Sequence, residues 1–138
     1  MSEPSYCILL VEDNPGDVML IEESLRSRKI PYQMKHCETV NVAVRKIRAY
    51  QPGDADIPDL LIVDYNLPAG EAREVIEAAV TNPALARTRR AVITSSLSPR
   101  DREDALQHGA ECFISKPADL DLFLNEVGDT LVRLLAQD

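Results

Sequence analysis

Six side chains able to do ionic or phosphoryl chemistry stand at the ends of short apolar runs. Glu12 and Asp13 follow the run from Tyr6 to Val11. Asp64 closes the run from Asp59 and is followed at once by the turn signal Tyr65-Asn66-Leu67-Pro68. Thr94 and Ser95 end the run that begins at Arg90, with Ser96 next, and Lys116 follows Glu111 to Ser115 and precedes Pro117. Alone, Asp64 reads equally well as a residue that starts a turn. The other run ends decide between the two readings. Three carboxylates brought close together repel, and each raises the pKa of the others unless a cation intervenes. Hard oxygen donors with room for water suit Mg²⁺, which takes one or two carboxylates and keeps several waters. A hydroxyl and an ammonium opposite them serve an anion beside the metal, and a phosphoryl group fits. An Asp carboxylate can itself attack phosphorus and become an aspartyl phosphate. Lys116 would then neutralise charge on the phosphoryl oxygens, and Thr94 would hydrogen-bond to one of them.

Such groups converge only if the runs are strands of one parallel sheet. Continuous apolar runs closed by turn residues are the pattern of strands buried on both faces. Between them lie helical patterns. Val18, Ile21 and Leu25 mark a first helix that Asp17 can N-cap. Thr39 caps a second, with Val40, Val44 and Ile47 as its stripe. A third runs from about Glu71 to Val80 through Val75, Ile76 and Ala79. Ser98-Pro99 opens a weakly apolar fourth through Ala105 and Leu106. The last is capped near Asp119 and has the stripe Leu120, Phe123, Leu124, Val127, Leu131, Leu134 and Leu135. Gly128 inside it costs about 1 kcal/mol relative to Ala. Tyr32 to Cys37 alternates and reads as a strand nearer an edge. Five strands alternating with five helices predict a doubly wound parallel α/β domain, with right-handed crossovers placing helices on both faces. We expect one domain over residues 1–138, with a core from about 6 to 136 and no output domain.

Composition narrows the function. The chain of 138 residues carries a formal charge of −8, which argues against nucleic acid or an anionic membrane as the main partner. Cys7, Cys37 and Cys112 lack the paired spacing of a zinc site. No signal peptide or membrane-length apolar run is present, so the cytoplasm is the expected location. His36 and His108 read as structural or solvated, and Arg87-Thr88-Arg89-Arg90 as a solvated basic loop that could touch an acidic partner.

Taken in order, Glu12-Asp13, Asp64 with Pro68, Thr94 followed by a small residue, Gly109-Ala110, Phe113 and Lys116-Pro117 resemble a response-regulator receiver domain, from about Tyr6 to Ala136. The resemblance implies the flavodoxin-like strand order 2-1-3-4-5. It makes Asp64 the acceptor of a phosphoryl group from a histidine kinase's phosphohistidine. It assigns Mg²⁺ to Glu12, Asp13, Asp64 and the main-chain carbonyl of Asn66. Thr94 and Lys116 become the phosphoryl-sensing pair, Thr94 and Phe113 the switch, and the Lys116–Pro117 bond is expected to be cis. Receivers usually have glycine eight residues after the acceptor, where this chain has Ala72, and Gly70 comes earlier. The run Val11 to Asp17, the long loop before Asp59 and the Ile93-Thr94-Ser95-Ser96 end resemble receivers that serve phytochromes.

The resulting expectation is a single-domain response regulator that switches a partner-binding surface and is not a turnover enzyme. Homodimerisation through the last helix is raised by Val132, which lies off its core stripe. Two rival readings stand beside it. A phosphohydrolase of the haloacid dehalogenase type also uses an Asp nucleophile, but wants a second Asp where Asn66 stands. A pseudo-receiver scaffold would dispense with phosphorylation, and Ala72 is the feature that favours it.

Overall fold

The computed structural model describes residues 5–95 and 98–136; Ser96, expected at the end of the fourth strand, lies outside them. Five strands, β1 (Tyr6–Val11), β2 (Tyr32–Cys37), β3 (Leu60–Asp64), β4 (Arg89–Thr94) and β5 (Cys112–Ser115), form one parallel sheet in the order β2-β1-β3-β4-β5. The intervening helices are α1 (Pro15–Arg26), α2 (Val40–Ala49), α3 (Ala72–Thr81) and α4 (Pro99–Gln107). A last helix, α5 (120–136), follows β5, and a short 3₁₀ turn, Pro83–Leu85, follows α3. No helix among the described residues is long and apolar enough to cross a membrane.

Side chains alternate across a strand, so one sheet needs two cores. Ile8, Leu10, Leu60, Ile62, Ala91 and Ile93 face α1 and α5, where Ile21, Leu25, Phe123, Val127 and Leu131 meet them. Leu9, Val11, Leu61, Val63 and Val92 face the other way, onto Ala43 and Ile47 of α2, Val75, Ile76 and Ala79 of α3, and Ala105 of α4. All five residues of β3 are buried, as a strand central to a doubly covered parallel sheet must be. β2 is the more exposed edge strand.

The register fixes what the sheet edge presents. Val11 pairs with Val63, Asp64 with Ile93 and Thr94 with Ser115. Glu12, Asp64, Thr94 and Lys116 therefore leave the sheet at one level, at the carboxyl ends where open α/β sheets bind ligands.

Several local expectations change. Asn14, not Asp17, caps α1: its Oδ1 accepts from the N–H groups of Gly16 (2.8 Å) and Asp17 (3.2 Å), and Pro15 is pre-set for the first helical position. Thr39 and Asp119 cap as expected. Leu120 lies outside the stripe of α5 and is exposed, because it opens the helix beyond the sheet. The Lys116–Pro117 bond is trans, as is every peptide bond among the described residues; Lys116 reaches its partners without the expected cis bond. The basic cluster is no free solvated loop. Arg89 and Arg90 both pair with Glu111, and Arg90 donates to the Gly109 carbonyl.

Gly128 acquires a reason. α5 begins as Leu120–Leu122, widens to a π-helical stretch over Phe123–Val127 and resumes as Gly128–Ala136. The guanidinium of Arg28, just after α1, lies against Gly128, where a Cβ would stand 2.3 Å from Arg28 Nε. From there Arg28 donates to the Asn125 carbonyl (2.7 Å) and pairs with Asp129 (2.8 Å). Helix propensity alone predicts that Gly128→Ala stabilises the chain by about 1 kcal/mol. The contact opposes that gain: an alanine Cβ displaces the Arg28 guanidinium from Asn125 and Asp129. Gly128→Ala is therefore expected to fall short of the stabilisation of about 1 kcal/mol in urea unfolding.

Candidate phosphoryl-acceptor site

At the centre of the sheet edge stands the Lys116 ammonium. Its Nζ lies 2.7 Å from Asp17 Oδ2, 3.0 Å from Glu12 Oε2 and 3.1 Å from Asp64 Oδ2. The Glu12 side chain is 0% exposed, Asp64 8%, Lys116 10% and Asp17 24%, so Asp17 closes the solvent side. Burial alone would lower the Lys116 pKa, but hydrogen bonds to Asp17 and Glu12, with the charge of Asp64, outweigh it and raise the pKa. Lys116 stays charged.

One ammonium does not neutralise three carboxylates. Burial, with Asp64 beside it, pushes the Glu12 carboxyl up to about 7, against the pull of Lys116 and of the Asn14 N–H that Oε1 accepts. Asp64 Oδ1 accepts from the Asn66 N–H at 2.9 Å, which orients the carboxylate from its own turn. The Asn66 side chain donates to Thr94 Oγ1 at 2.8 Å, tying the turn after Asp64 to the buried end of β4.

Of the expected site residues, the structure brings together Glu12, Asp64, Asn66, Thr94 and Lys116. Asp13 is exposed and makes no side-chain hydrogen bond among the described residues, next to this group but not in it. Ser95 is exposed at the end of β4. Two residues join that the sequence reading placed elsewhere. Asp17, freed by the Asn14 cap, turns its carboxylate to Lys116. His36 lies with Nε2 2.5 Å from the Glu12 carbonyl, so it is in contact with the site rather than isolated. Phe113 is half-buried, its ring edge-on to Tyr65 at 6.3 Å and 70°. The Tyr65 hydroxyl donates to Asp104 on α4 at 3.0 Å. Burial and then that carboxylate push the hydroxyl's pKa up to about 12.

The turn beyond Asp64 explains the missing glycine. The left-handed residue is Gly70, φ +96°, where a Cβ would meet Val40 at 2.9 Å. Ala72 is then free to be the buried first residue of α3, with the Glu71 N–H donating to Glu74 Oε2 at 2.8 Å. The glycine requirement has moved two residues towards Asp64.

Carboxylate oxygens of Glu12, Asp17 and Asp64 lie within 4.8 Å of one another. An all-oxygen set with a solvent-facing side suits a hard divalent cation that keeps part of its water. Uncompensated as it is, Glu12 gives the metal-free protein a measurable pH dependence. Its folded pKa near 7 exceeds its ordinary 4.5, so between those values the folded state binds more protons and stability falls as pH rises. With a chelator present, the unfolding midpoint is expected to drop from about pH 5 to about pH 8, and Glu12→Gln to flatten that slope.

Comparison with known proteins agrees with this geometry. The family model described as "Response regulator receiver domain" matches residues 8–128. Response regulator Rcp1 of Synechocystis sp. is 31% identical over 126 residues, covering 88% of this chain and 84% of that protein. The crystal structure of the phosphorylated cyanobacterial phytochrome response regulator RcpA superposes with a TM-score of 0.84 at 28% identity, covering 96% of each chain. The receiver domain of the sensor histidine kinase PA1611 from Pseudomonas aeruginosa, which has a magnesium ion coordinated in its active-site cleft, superposes with a TM-score of 0.75 at 25% identity, covering 97% of this chain and all of that one. With its strand order, its strand-end carboxylates and its lysine accounted for, this chain belongs to the response regulator receiver domain family.

Proposed function

We propose that the chain accepts a phosphoryl group on Asp64 from the phosphohistidine of a sensor histidine kinase and passes the signal on through a changed surface. The observation that carries the reading is the Asp64 carboxylate, held from one side by the Asn66 N–H and from the other by Lys116, with Glu12 alongside. Asp64 supplies the attacking oxygen, and the bond from phosphorus to the kinase's imidazole nitrogen breaks as the new P–O bond forms. Lys116 balances charge on the phosphoryl oxygens, and Thr94, one hydrogen bond from the acceptor turn, supplies a hydroxyl to them. Glu12, Asp64 and the Asn66 carbonyl would hold Mg²⁺, with Asp13, exposed beside them, turned in to complete the set; the chemistry of the ion is to neutralise that charge and screen the carboxylates from one another.

The outgoing signal follows from what touches the acceptor turn. Drawing Thr94 towards a phosphoryl group leaves space beside Phe113, and Phe113 already shares the Tyr65 ring with the segment that ends in Asp64. We read this as a bias between two arrangements of α4, β5 and α5. Likeness to RcpA, a cyanobacterial phytochrome response regulator, supports a phytochrome-type kinase as the phosphoryl source. Within this reading the chain is a cytoplasmic regulator, turns its phosphoryl group over only by slow autohydrolysis, and uses α5 for any homodimer. Asn66 in place of a second Asp, spent on Thr94, disfavours the phosphohydrolase alternative.

Acetyl phosphate with Mg²⁺ is expected to add one phosphoryl mass to the wild type, labile to hydroxylamine, and none to Asp64→Asn. Equal modification of both, by intact-protein mass spectrometry, would refute the acceptor assignment.

A further inference from the structure

An ammonium has three N–H donors, and in Lys116 each faces a different carboxylate: Glu12 from the end of β1, Asp17 from the first turn of α1 and Asp64 from the end of β3. The contact with Asp17 is the shortest of the three at 2.7 Å. A phosphoryl group arriving on Asp64 can gain a donor from Lys116 only where a present partner gives one up. The donor now on Asp64 follows the phosphoryl group. Glu12, fully buried, keeps its side chain in place by accepting the Asn14 N–H through its other oxygen. Asp17, a quarter exposed, can be rehydrated at the surface when it lets go. Its backbone N–H is already served by Asn14, so its side chain has no capping role to return to.

We propose that Asp17 is a positioning residue that holds one donor of Lys116 away from the phosphoryl site, so that the phosphorylated state forms against its competition. The inference rests on Asp64 as the acceptor and adds a residue that sets how firmly that acceptor keeps its charge. Asp17 also places a third carboxylate near an incoming dianion, and this repulsion acts in the same direction. Neutralising Asp17 thus frees a donor for a second phosphoryl oxygen and removes a negative charge together.

Beryllofluoride, a tetrahedral mimic that coordinates a carboxylate oxygen as a phosphoryl group does, reports this without turnover. Titrations are done with Mg²⁺ saturating for each variant, so that a changed metal affinity does not enter. The chain has four tyrosines and no tryptophan, and Tyr65 adjoins the acceptor, so tyrosine emission is the readout. Asp17→Asn is expected to bind beryllofluoride about five-fold more tightly than the wild type, the size of one exchanged hydrogen bond. Asp17→Glu, which restores a carboxylate, returns towards wild type, and Asp17→Ser repeats the gain with a different small polar side chain. Unchanged or weaker binding by both Asp17→Asn and Asp17→Ser overturns the proposal. Asp64→Asn separates the two levels. If wild type and Asp64→Asn respond alike, the acceptor reading itself fails; if only Asp64→Asn is silent and the Asp17 variants match wild type, this inference fails alone.

Discussion

One constraint governs this molecule: three carboxylates share one buried ammonium at the edge of a parallel sheet. Removing Lys116 would leave Glu12 and Asp64 as buried, mutually repelling charges, and breaking a buried pair costs far more than forming it gains. Even with Lys116 present the balance is incomplete, as the raised pKa of Glu12 records. The site carries a deficit of positive charge. A divalent cation would cancel that deficit, so that an anionic phosphoryl group meets a site no longer net negative. The chemistry follows from electrostatics the fold imposes.

The fold imposes them through register. β1, β3 and β4 are covered on both faces, which requires apolar residues along their length and leaves their carboxyl ends as the place for charge. The paired positions Val11 with Val63 and Asp64 with Ile93 put Glu12 and Asp64 at the same height. The helices add orientation. Asn14 sets the start of α1, which turns Asp17 inward; Gly70 sets the start of α3, which lets the Asp64 turn close on Asn66 and Thr94. Residues remote from the chemistry, Arg28 and Gly128 among them, hold α1 against α5 and so keep the first turn of α1 where Asp17 can reach Lys116.

The parts of this arrangement that were legible in the sequence are those where a short apolar run changes abruptly to charge: Glu12, Asp64 and Lys116 each mark such a change, and alternation of runs with helical stripes was enough for the sheet. Strand order came from resemblance, since spacing does not distinguish which strands are neighbours. What escaped was contact between distant segments. Asp17 looked like a cap because it stands just before a helical stripe, and its partner Lys116 is 99 positions away. His36 meets the Glu12 carbonyl only because β2 pairs with β1. Gly128 looked like a defect until Arg28, from the far end of α1, filled its place. Ala72 looked like a lost glycine because the family's spacing hid the compensating Gly70.

The central claim is that Asp64, among three neighbouring carboxylates, is the one that carries phosphorus. Reduction of an aspartyl phosphate with borohydride converts that residue, and no free carboxylate, to homoserine. The protein is phosphorylated in the presence of Mg²⁺, quenched with borohydride, digested and sequenced by tandem mass spectrometry. Homoserine at position 64, with Glu12, Asp13 and Asp17 left unreduced, is the predicted result. Homoserine at 13 or 17 with aspartate intact at 64, or no homoserine at any position, would contradict it.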